Sequence, residues 1–164
     1  MKTRTELVIN KNAEAVWDIM GNQYAQVHLW SSNFKASKPG GKPKLPGLDY
    51  LHRTTQTDRG ETIQELDEFD PVNYSLAYHI TKGAPKIAKE ASGVWSLDVI
   101  EPEKTRVILE FSMEPNGLAG LILTPLIKMK LGKAAAEIAQ ELKFYIENKT
   151  PHPRKLKSIS LQSR

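Results

Sequence analysis

Five strand-length segments between residues 49 and 114, joined by very short turns, constrain the fold more than any other feature of the chain. The turns are rich in Asp, Gly and Pro and lie at residues 58–60, 70–71, 83–85 and 101–103. Parallel neighbours need a crossover of about a dozen or more residues, whereas antiparallel neighbours can be joined by a tight turn. The sequence therefore predicts an antiparallel meander.

The last of these segments, "KTRVILEFSME", indicates how the sheet is oriented. Val107, Leu109, Phe111 and Met113 fall on one face of the strand, and Glu110 falls on the other. Such alternation is typical of a sheet with one buried face and one face in water. The alternation alone therefore predicts that Leu109 and Phe111 point inward.

Helices are predicted before and after the meander in the sequence. Residues 3–9 alternate as a first strand, and residues 13–20 and 22–30 then predict two short helices, the first capped by Asn10 or Asn12. Helices this short are marginal in isolation. They must therefore pack on something larger.

A long helix is predicted from about Pro125 to Asn148, because proline suits the first turn of a helix and would break a helix interior. One apolar stripe at helical spacing follows, formed by Ile127, Leu131, Ala135, Ile138, Leu142 and Ile146. A single rod of this kind can lie across the concave face of a curved sheet without touching it everywhere. A cavity between sheet and helix is therefore expected.

The net charge of +4 comes from the end of the chain. Residues 149–164 contain five basic side chains and no acidic one, so the preceding residues sum to −1. We therefore expect a domain over residues 1–148 and a basic, flexible tail over residues 149–164. Neither the tail nor the lysine-rich loop 35–47 interleaves aromatic with basic side chains, so no nucleic-acid partner is expected.

The sequence also argues against several classes of site. It contains no cysteine, which removes thiol nucleophiles and thiolate metal sites and makes a cytoplasmic location the expectation. The histidines are scattered, and neither a nucleotide fingerprint nor a nucleophile elbow occurs, so we expect no metal and no cofactor. The apolar run 118–127 is shorter than the about 20 residues that span a bilayer, and no stable membrane insertion is expected.

Seven short motifs, in this order and spacing, resemble the START-like helix-grip proteins of the SRPBCC superfamily, which includes polyketide cyclases or dehydrases and lipid-transfer proteins. The motifs are "AEAVWDIM", "LHRTTQT", "IQELDEFDP", "YSLAYHI", "SGVWSL", "TRVILEF" and "ELKFYIENKTPHPRK". The resemblance covers about residues 3–148. It implies an α+β helix-grip fold, in which a curved antiparallel sheet wraps around a long C-terminal helix and two short helices follow the first strand.

The resemblance also implies which side chains line a ligand site. The positions that would point inward from the sheet are Arg53, Gln64, Leu76, Tyr78, Ile80, Ala91, Trp95, Leu109 and Phe111. Leu131 and Ile138 would face them from the long helix. In this superfamily the segment before that helix lies at the rim of the pocket, so Leu121 either lines the mouth or packs as core or as a dimer interface.

Arg53 and Tyr78 are the polar candidates of most interest. A buried Arg53 demands an anionic partner, which a ligand carboxylate or enolate would supply; alternatively it pairs with Glu65 or lies in water. Tyr78 can donate its hydroxyl to a ligand carbonyl, or it is a core aromatic residue. Gln64 is a neutral amide and cannot act as a base near pH 7, so no catalytic residue is identified.

These observations favour a protein that binds or carries a hydrophobic small molecule, lipid-like or polyketide-like, between sheet and helix. One alternative is an enzyme of the polyketide cyclase or dehydrase type that uses Arg53 and Tyr78. A second alternative is a co-chaperone or stress-related interaction module, because helix-grip domains also bind proteins. Both a monomer and a homodimer are compatible with the sequence.

Overall fold

The segments with short turns form the meander they predict. In the computed structural model, which describes residues 1–163, seven strands form one antiparallel sheet in the order β1-β7-β6-β5-β4-β3-β2. The strands are β1 (Lys2–Ile9), β2 (Ala36–Gly40), β3 (His52–Thr57), β4 (Gly60–Asp70), β5 (Ser75–Lys82), β6 (Ala88–Glu101) and β7 (Lys104–Pro115). Strand β1 pairs with β7, so the first and last strands of the sequence are neighbours, and β1 and β2 form the two edges of the sheet.

The alternation of β7 is confirmed for Val107, Leu109 and Met113, whereas Phe111 is only half-buried and Ile108 on the other face is buried as well. Val107 and Leu109 are almost completely buried on the inner face, where they lie opposite Leu7 and Thr5 of β1. A bulge at Asp67 of β4 interrupts the regular pairing between Leu66 and Glu68. Bulges bend a strand and increase its twist, and this one contributes to the curvature that creates an inner face.

Strand β2 forms within the segment that the sequence assigned to a lysine-rich loop. It is an edge strand whose residues pair with β3, and Pro39 lies opposite Arg53. Proline lacks the N–H that a central strand would need, but an edge strand has one side without a neighbour. The strand was missed because its composition is that of a loop.

The two predicted short helices are present in altered form. Helix α1 (Ala13–Trp17) is capped by Asn12, whose Oδ1 accepts a hydrogen bond of 2.8 Å from the Ala15 amide. A π-helical turn (Asp18–Asn22) and a 3-10 helix (Tyr24–Leu29) follow. The predicted break after residue 20 is absent, because Gly21 lies in the π-helical turn, where a Cβ would collide with the Trp17 ring.

The long helix, α2 (Gly117–Asn148), begins eight residues before the predicted start at Pro125. A proline inside a helix removes the N–H that would bond the carbonyl four residues earlier. That carbonyl belongs to Leu121, whose residue is 61% exposed, so water can supply the missing donor. The prediction was wrong because it treated proline as a start signal, although an exposed helix interior tolerates it here.

Helix α2 grips the sheet through its second half only. Ala139, Leu142 and Ile146 are buried, and the helix packs against β1 and β7. The first half is largely exposed, and its main anchor is Gly120, which lies close to Ile87 and Pro115. The helix-grip fold is thus confirmed, but with a helix that extends beyond its packed part.

The segment predicted as a flexible tail contains a third helix, α3 (Pro153–Gln162). Lys155 is 2% exposed, and its Nζ donates a hydrogen bond of 2.9 Å to the Phe34 carbonyl. Arg154 Nε lies 2.9 Å from Oε1 of Glu141, a fully buried residue of α2. The expectation of a flexible tail was therefore wrong for these residues, because their docking depends on polar contacts that an apolar periodicity does not reveal.

Within residues 1–163, no helix is both long enough and apolar enough to cross a membrane.

The docking of α3 generates the first prediction. Arg154→Ala leaves the Glu141 carboxylate with Ser32 as its remaining partner, through contacts of 2.8 and 2.6 Å. We expect the free energy of unfolding to fall by about 1–3 kcal/mol, which lowers Tm by about 2–4 °C per kcal/mol for a chain of this size. Thermal unfolding followed by circular dichroism measures the change.

Lys157→Ala is the matched control, because Lys157 is an exposed cation on the same helix and its loss should leave Tm unchanged. If Arg154→Ala also left Tm unchanged, the docking of α3 would be refuted.

Candidate functional site

Arg53 lies at the centre of the inner face and is 1% exposed. Its Nε donates a hydrogen bond of 2.8 Å to Oε1 of Gln64 on β4. Its Nη1 donates a hydrogen bond of 2.8 Å to the Tyr24 carbonyl in the 3-10 helix. Its Nη2 is buried and has no hydrogen-bond partner in the part of the chain that the structure describes. The guanidinium thus has one unused donor group.

Four aromatic rings surround this guanidinium. Its Cζ lies 3.8 Å from the centroid of Tyr24 and 5.0 Å from that of Trp95, with Phe34 and Tyr78 at 5.5 and 5.9 Å. Ring faces attract a cation by up to about 2 kcal/mol each when water is excluded. We call these four residues the aromatic cage of Arg53.

No carboxylate neutralises Arg53 among residues 1–163. The alternative that Arg53 pairs with Glu65 is not found, since Glu65 lies 3.7 Å from Lys44 instead. Nor does Arg53 lie in water. A buried charge without a counter-ion is costly, and the aromatic cage offsets only part of that cost, so the site is suited to an anion.

The hydroxyls beside Arg53 are hydrogen-bond donors. Burial raises the pKa of Tyr24 and the pKa of Tyr78, and the nearby Arg53 charge opposes both shifts only in part. Both phenols therefore stay protonated at neutral pH. The Tyr24 hydroxyl donates a weak hydrogen bond of 3.4 Å to Gln64 Oε1, so the amide oxygen serves Arg53 and Tyr24 together.

Gly93 makes room for the Tyr78 ring. The two residues pair directly between β5 and β6, and a Cβ on Gly93 would lie 2.5 Å from the ring. Tyr78 then meets Trp95 edge to face, with centroids 6.1 Å apart. The sequence predicted Tyr78 and Trp95 for this site, but it missed Gly93 and the cage members Tyr24 and Phe34.

The predicted site residues fall into three groups in the structure. Arg53, Gln64, Tyr78 and Trp95 come together as described. The buried core holds Leu76, Ala91 and Leu109, whereas Ile80, Phe111, Leu131 and Ile138 are partly exposed and Leu121 is largely exposed. A ligand-binding role for all twelve positions stays a prediction.

Two surface depressions of about 150 and 310 Å³ lie on the other side of the sheet. Both are lined by outward-facing residues of β6 and β7, such as Ser92 and Ser112. Neither lies between the sheet and α2, where the sequence predicted a cavity. The space around Arg53 is filled by the rings of the aromatic cage, so a ligand would have to displace some of them.

No metal centre is suggested by the described residues, since residues 1–163 contain no group of three or more His, Cys, Asp or Glu that could hold an ion.

Comparisons with known proteins support the fold. A family model described as polyketide cyclase / dehydrase and lipid transport matches residues 1–147. A START superfamily protein from Mycobacterium smegmatis is 14% identical with a TM-score of 0.73, over 91% of this chain and 99% of that one. The protein XoxI from Bacillus cereus is 16% identical with a TM-score of 0.70, over 92% and 99% of the two chains.

The Zhui aromatase/cyclase from Streptomyces sp. R1128 is 14% identical with a TM-score of 0.62, over 93% of this chain and 99% of that one. At such identities the structural likeness shows the fold alone. A comparison with the curated proteins gives no match.

The unpaired charge of Arg53 generates the second prediction. In Gln64→Glu a carboxylate replaces the amide that accepts from Arg53 Nε, and the resulting ion pair should raise the free energy of unfolding at pH 7 by about 1–3 kcal/mol. Arg53 would hold the pKa of this new carboxyl below its unfolded value of about 4.3. The gain is therefore present above that unfolded value and is lost as the pH falls through the folded pKa.

Urea unfolding of both proteins across this pH range measures the gain. Gln64→Leu is the control, since it removes the acceptor and should cost about 1.5–3 kcal/mol. A Gln64→Glu protein that is no more stable than the unmodified chain at any pH would show that Arg53 already has sufficient compensation.

Proposed function

Since the chain belongs to the polyketide cyclase / dehydrase and lipid transport family, we propose that it binds a hydrophobic small molecule that carries an anionic group. The observation that supports this most is the buried guanidinium of Arg53, for which residues 1–163 provide no carboxylate partner and no hydrogen-bond partner of Nη2. A ligand carboxylate or enolate would accept from Nη2 and neutralise the charge. Charge-assisted hydrogen bonds of this kind are about twice as strong as neutral ones.

The surroundings of Arg53 suit an amphipathic ligand. The hydroxyls of Tyr24 and Tyr78 are protonated and can add hydrogen bonds to an anionic head group. The apolar part of the ligand would follow the inner face towards Ile80 and Phe111, which are only partly buried. From there it would reach the first half of α2, where the exposed Leu121 lies.

Entry requires movement of the structure around the site. The first half of α2 is held at Gly120 by its contacts with Ile87 and Pro115, and residues beyond it are largely exposed. Displacing this segment breaks few apolar contacts, so its cost is small compared with displacing the packed second half. We propose that the ligand enters beneath the first half of α2.

Catalysis by Arg53 and Tyr78 is the second candidate. Its support is the pairing of a buried cation with a protonated phenol, which together could polarise a carbonyl and donate a proton. Gln64, however, is the only side-chain hydrogen-bond acceptor of Arg53 among the described residues, and an amide cannot act as a base. Binding is therefore favoured over catalysis, and turnover of a poly-β-ketone by the purified protein would reverse this preference.

The third prediction tests the anionic head group. Decanoate and decanol have chains of the same length and differ in charge, and their binding can be followed by calorimetry. We expect decanoate to bind more tightly than decanol, and Arg53→Met to weaken decanoate about 10- to 100-fold, since a hydrogen bond to a charged group contributes about 1.5–3 kcal/mol. Decanol should bind Arg53→Met as well as it binds the unmodified chain.

Methionine is a suitable replacement because an apolar side chain of similar length leaves no unpaired charge, and circular dichroism checks that the variant is folded. Arg59→Met is the matched control, since Arg59 lies exposed in the turn between β3 and β4. Equal affinities for decanoate and decanol, or a decanoate affinity that Arg53→Met leaves unchanged, would contradict the proposed site.

A further inference from the structure

The first half of α2 carries an unusually apolar exposed surface. Leu118 is 74% exposed, Leu121 61%, Ile122 68% and Met129 66%, and Leu126 is 45% exposed. Scattered apolar residues are normal on protein surfaces, but a contiguous apolar patch marks an interaction site. We call residues 118–127 of α2 the apolar tip, and Met129 continues the same exposed face just behind it.

Charge is segregated along the same helix. Between Gly117 and Ile127 there is no charged residue, and three exposed lysines follow at Lys128, Lys130 and Lys133. The first acidic residue of the helix is Glu137. Residues two positions apart lie about 200° apart around a helix axis, so Lys128 and Lys130 point to opposite sides of the helix. Together with Lys133 they form a basic cluster directly after the tip.

The geometry points to docking of the apolar tip on an anionic lipid bilayer, and we propose this as a second interaction of the protein. The tip is continuous with β7 through Asn116 and lies against Ile87 and Pro115 at Gly120, so it docks lengthwise and not end-on. Its exposed apolar face then enters the boundary between head groups and acyl chains to a depth of about 5–10 Å, while the cations on either side of that face bind negatively charged head groups.

A second copy of the chain fits the same surface less well. A twofold contact between parallel apolar tips would bring the three lysines of one helix close to those of the other, and in an antiparallel contact the lysines would meet no carboxylate on the facing tip. No acidic side chain lies between Gly117 and Ala136 to compensate them. Lipid head groups supply the complementary charge, which favours the bilayer.

Docking here does not depend on the anion site, because Arg53 is buried on the inner face and takes no part in the apolar tip. The anion site and the apolar tip therefore consist of different residues, although the proposed ligand entry lies beneath the same half of α2. Loss of decanoate binding in one variant and loss of membrane binding in another can be observed separately.

The test is flotation of the full chain with vesicles of phosphatidylcholine alone and with vesicles that contain one third phosphatidylglycerol. We expect binding to the anionic vesicles at about 0.1 M salt and its loss at about 1 M salt, where the Debye length falls from about 10 Å to about 3 Å. Replacing Lys128, Lys130 and Lys133 by alanine should weaken binding about 100-fold, since each lysine near an anionic surface contributes about five-fold.

The variant Ile122→Glu with Met129→Glu should weaken binding at least about ten-fold, because both side chains are exposed and a charge opposes insertion into acyl chains. Val72→Glu with Val99→Glu is the matched control. Val72 is 83% and Val99 61% exposed, and both lie outside α2. Its binding should equal that of the unmodified chain, and circular dichroism confirms that each variant is folded.

Three outcomes would overturn the proposal. The first is that the folded protein does not float with anionic vesicles, and the second is that it floats equally well with phosphatidylcholine alone. The third is a dimer, detected by light scattering, that Ile122→Glu with Met129→Glu dissociates while no vesicle binding occurs. That result would make the apolar tip a contact between copies of this chain.

Discussion

The burial of one guanidinium without a counter-ion is the constraint on which the inner face depends. Arg53 joins β3 to β4 through Gln64 and joins the sheet to the 3-10 helix through the Tyr24 carbonyl. Rings from the 3-10 helix, from the segment that follows it and from strands β5 and β6 then cover the charge. A neutral residue at this position would need none of these partners, so the polar contacts and the aromatic cage are best understood as a response to the buried cation.

Phe34 connects the surroundings of Arg53 to the last helix of the chain. The Phe34 ring belongs to the aromatic cage, and its carbonyl accepts from the buried Lys155 of α3. The adjoining Ser32 binds Glu141 of α2, which in turn pairs with Arg154. One half of α2 is thereby fixed by the sheet and by α3, while the other half is left exposed. The second half of α2 thus supports the site, whereas the first half is the segment beneath which a ligand is proposed to enter and which is proposed to bind a bilayer.

The sequence predicted the parts of the fold that follow from local patterns. The alternation around Leu109 and the short turns gave the antiparallel sheet and its buried face. The predicted start of α2 was wrong because proline marks the start of a helix only where a proline inside the helix would be destabilising, and at Pro125 it is tolerated. The role of Tyr24 beside Arg53 and the docking of Lys155 were missed for another reason. Each depends on a polar contact between distant segments, and such contacts leave no periodic pattern in the sequence. The burial of Arg53 was predicted only as one of several alternatives, since charge balance is decided by the assembled fold.

The central claim is that Arg53 Nη2 donates a hydrogen bond to a bound anion. Nuclear magnetic resonance of the arginine side chains tests this claim most directly. Burial should slow exchange of the Arg53 guanidinium protons with water and separate their signals from those of the exposed arginines. Addition of decanoate should shift the Nη2 proton signals downfield, as a charge-assisted hydrogen bond forms, whereas decanol should leave them unchanged. If decanoate binds the protein while the Arg53 signals stay unchanged, the anion site lies elsewhere and the account of the inner face is wrong.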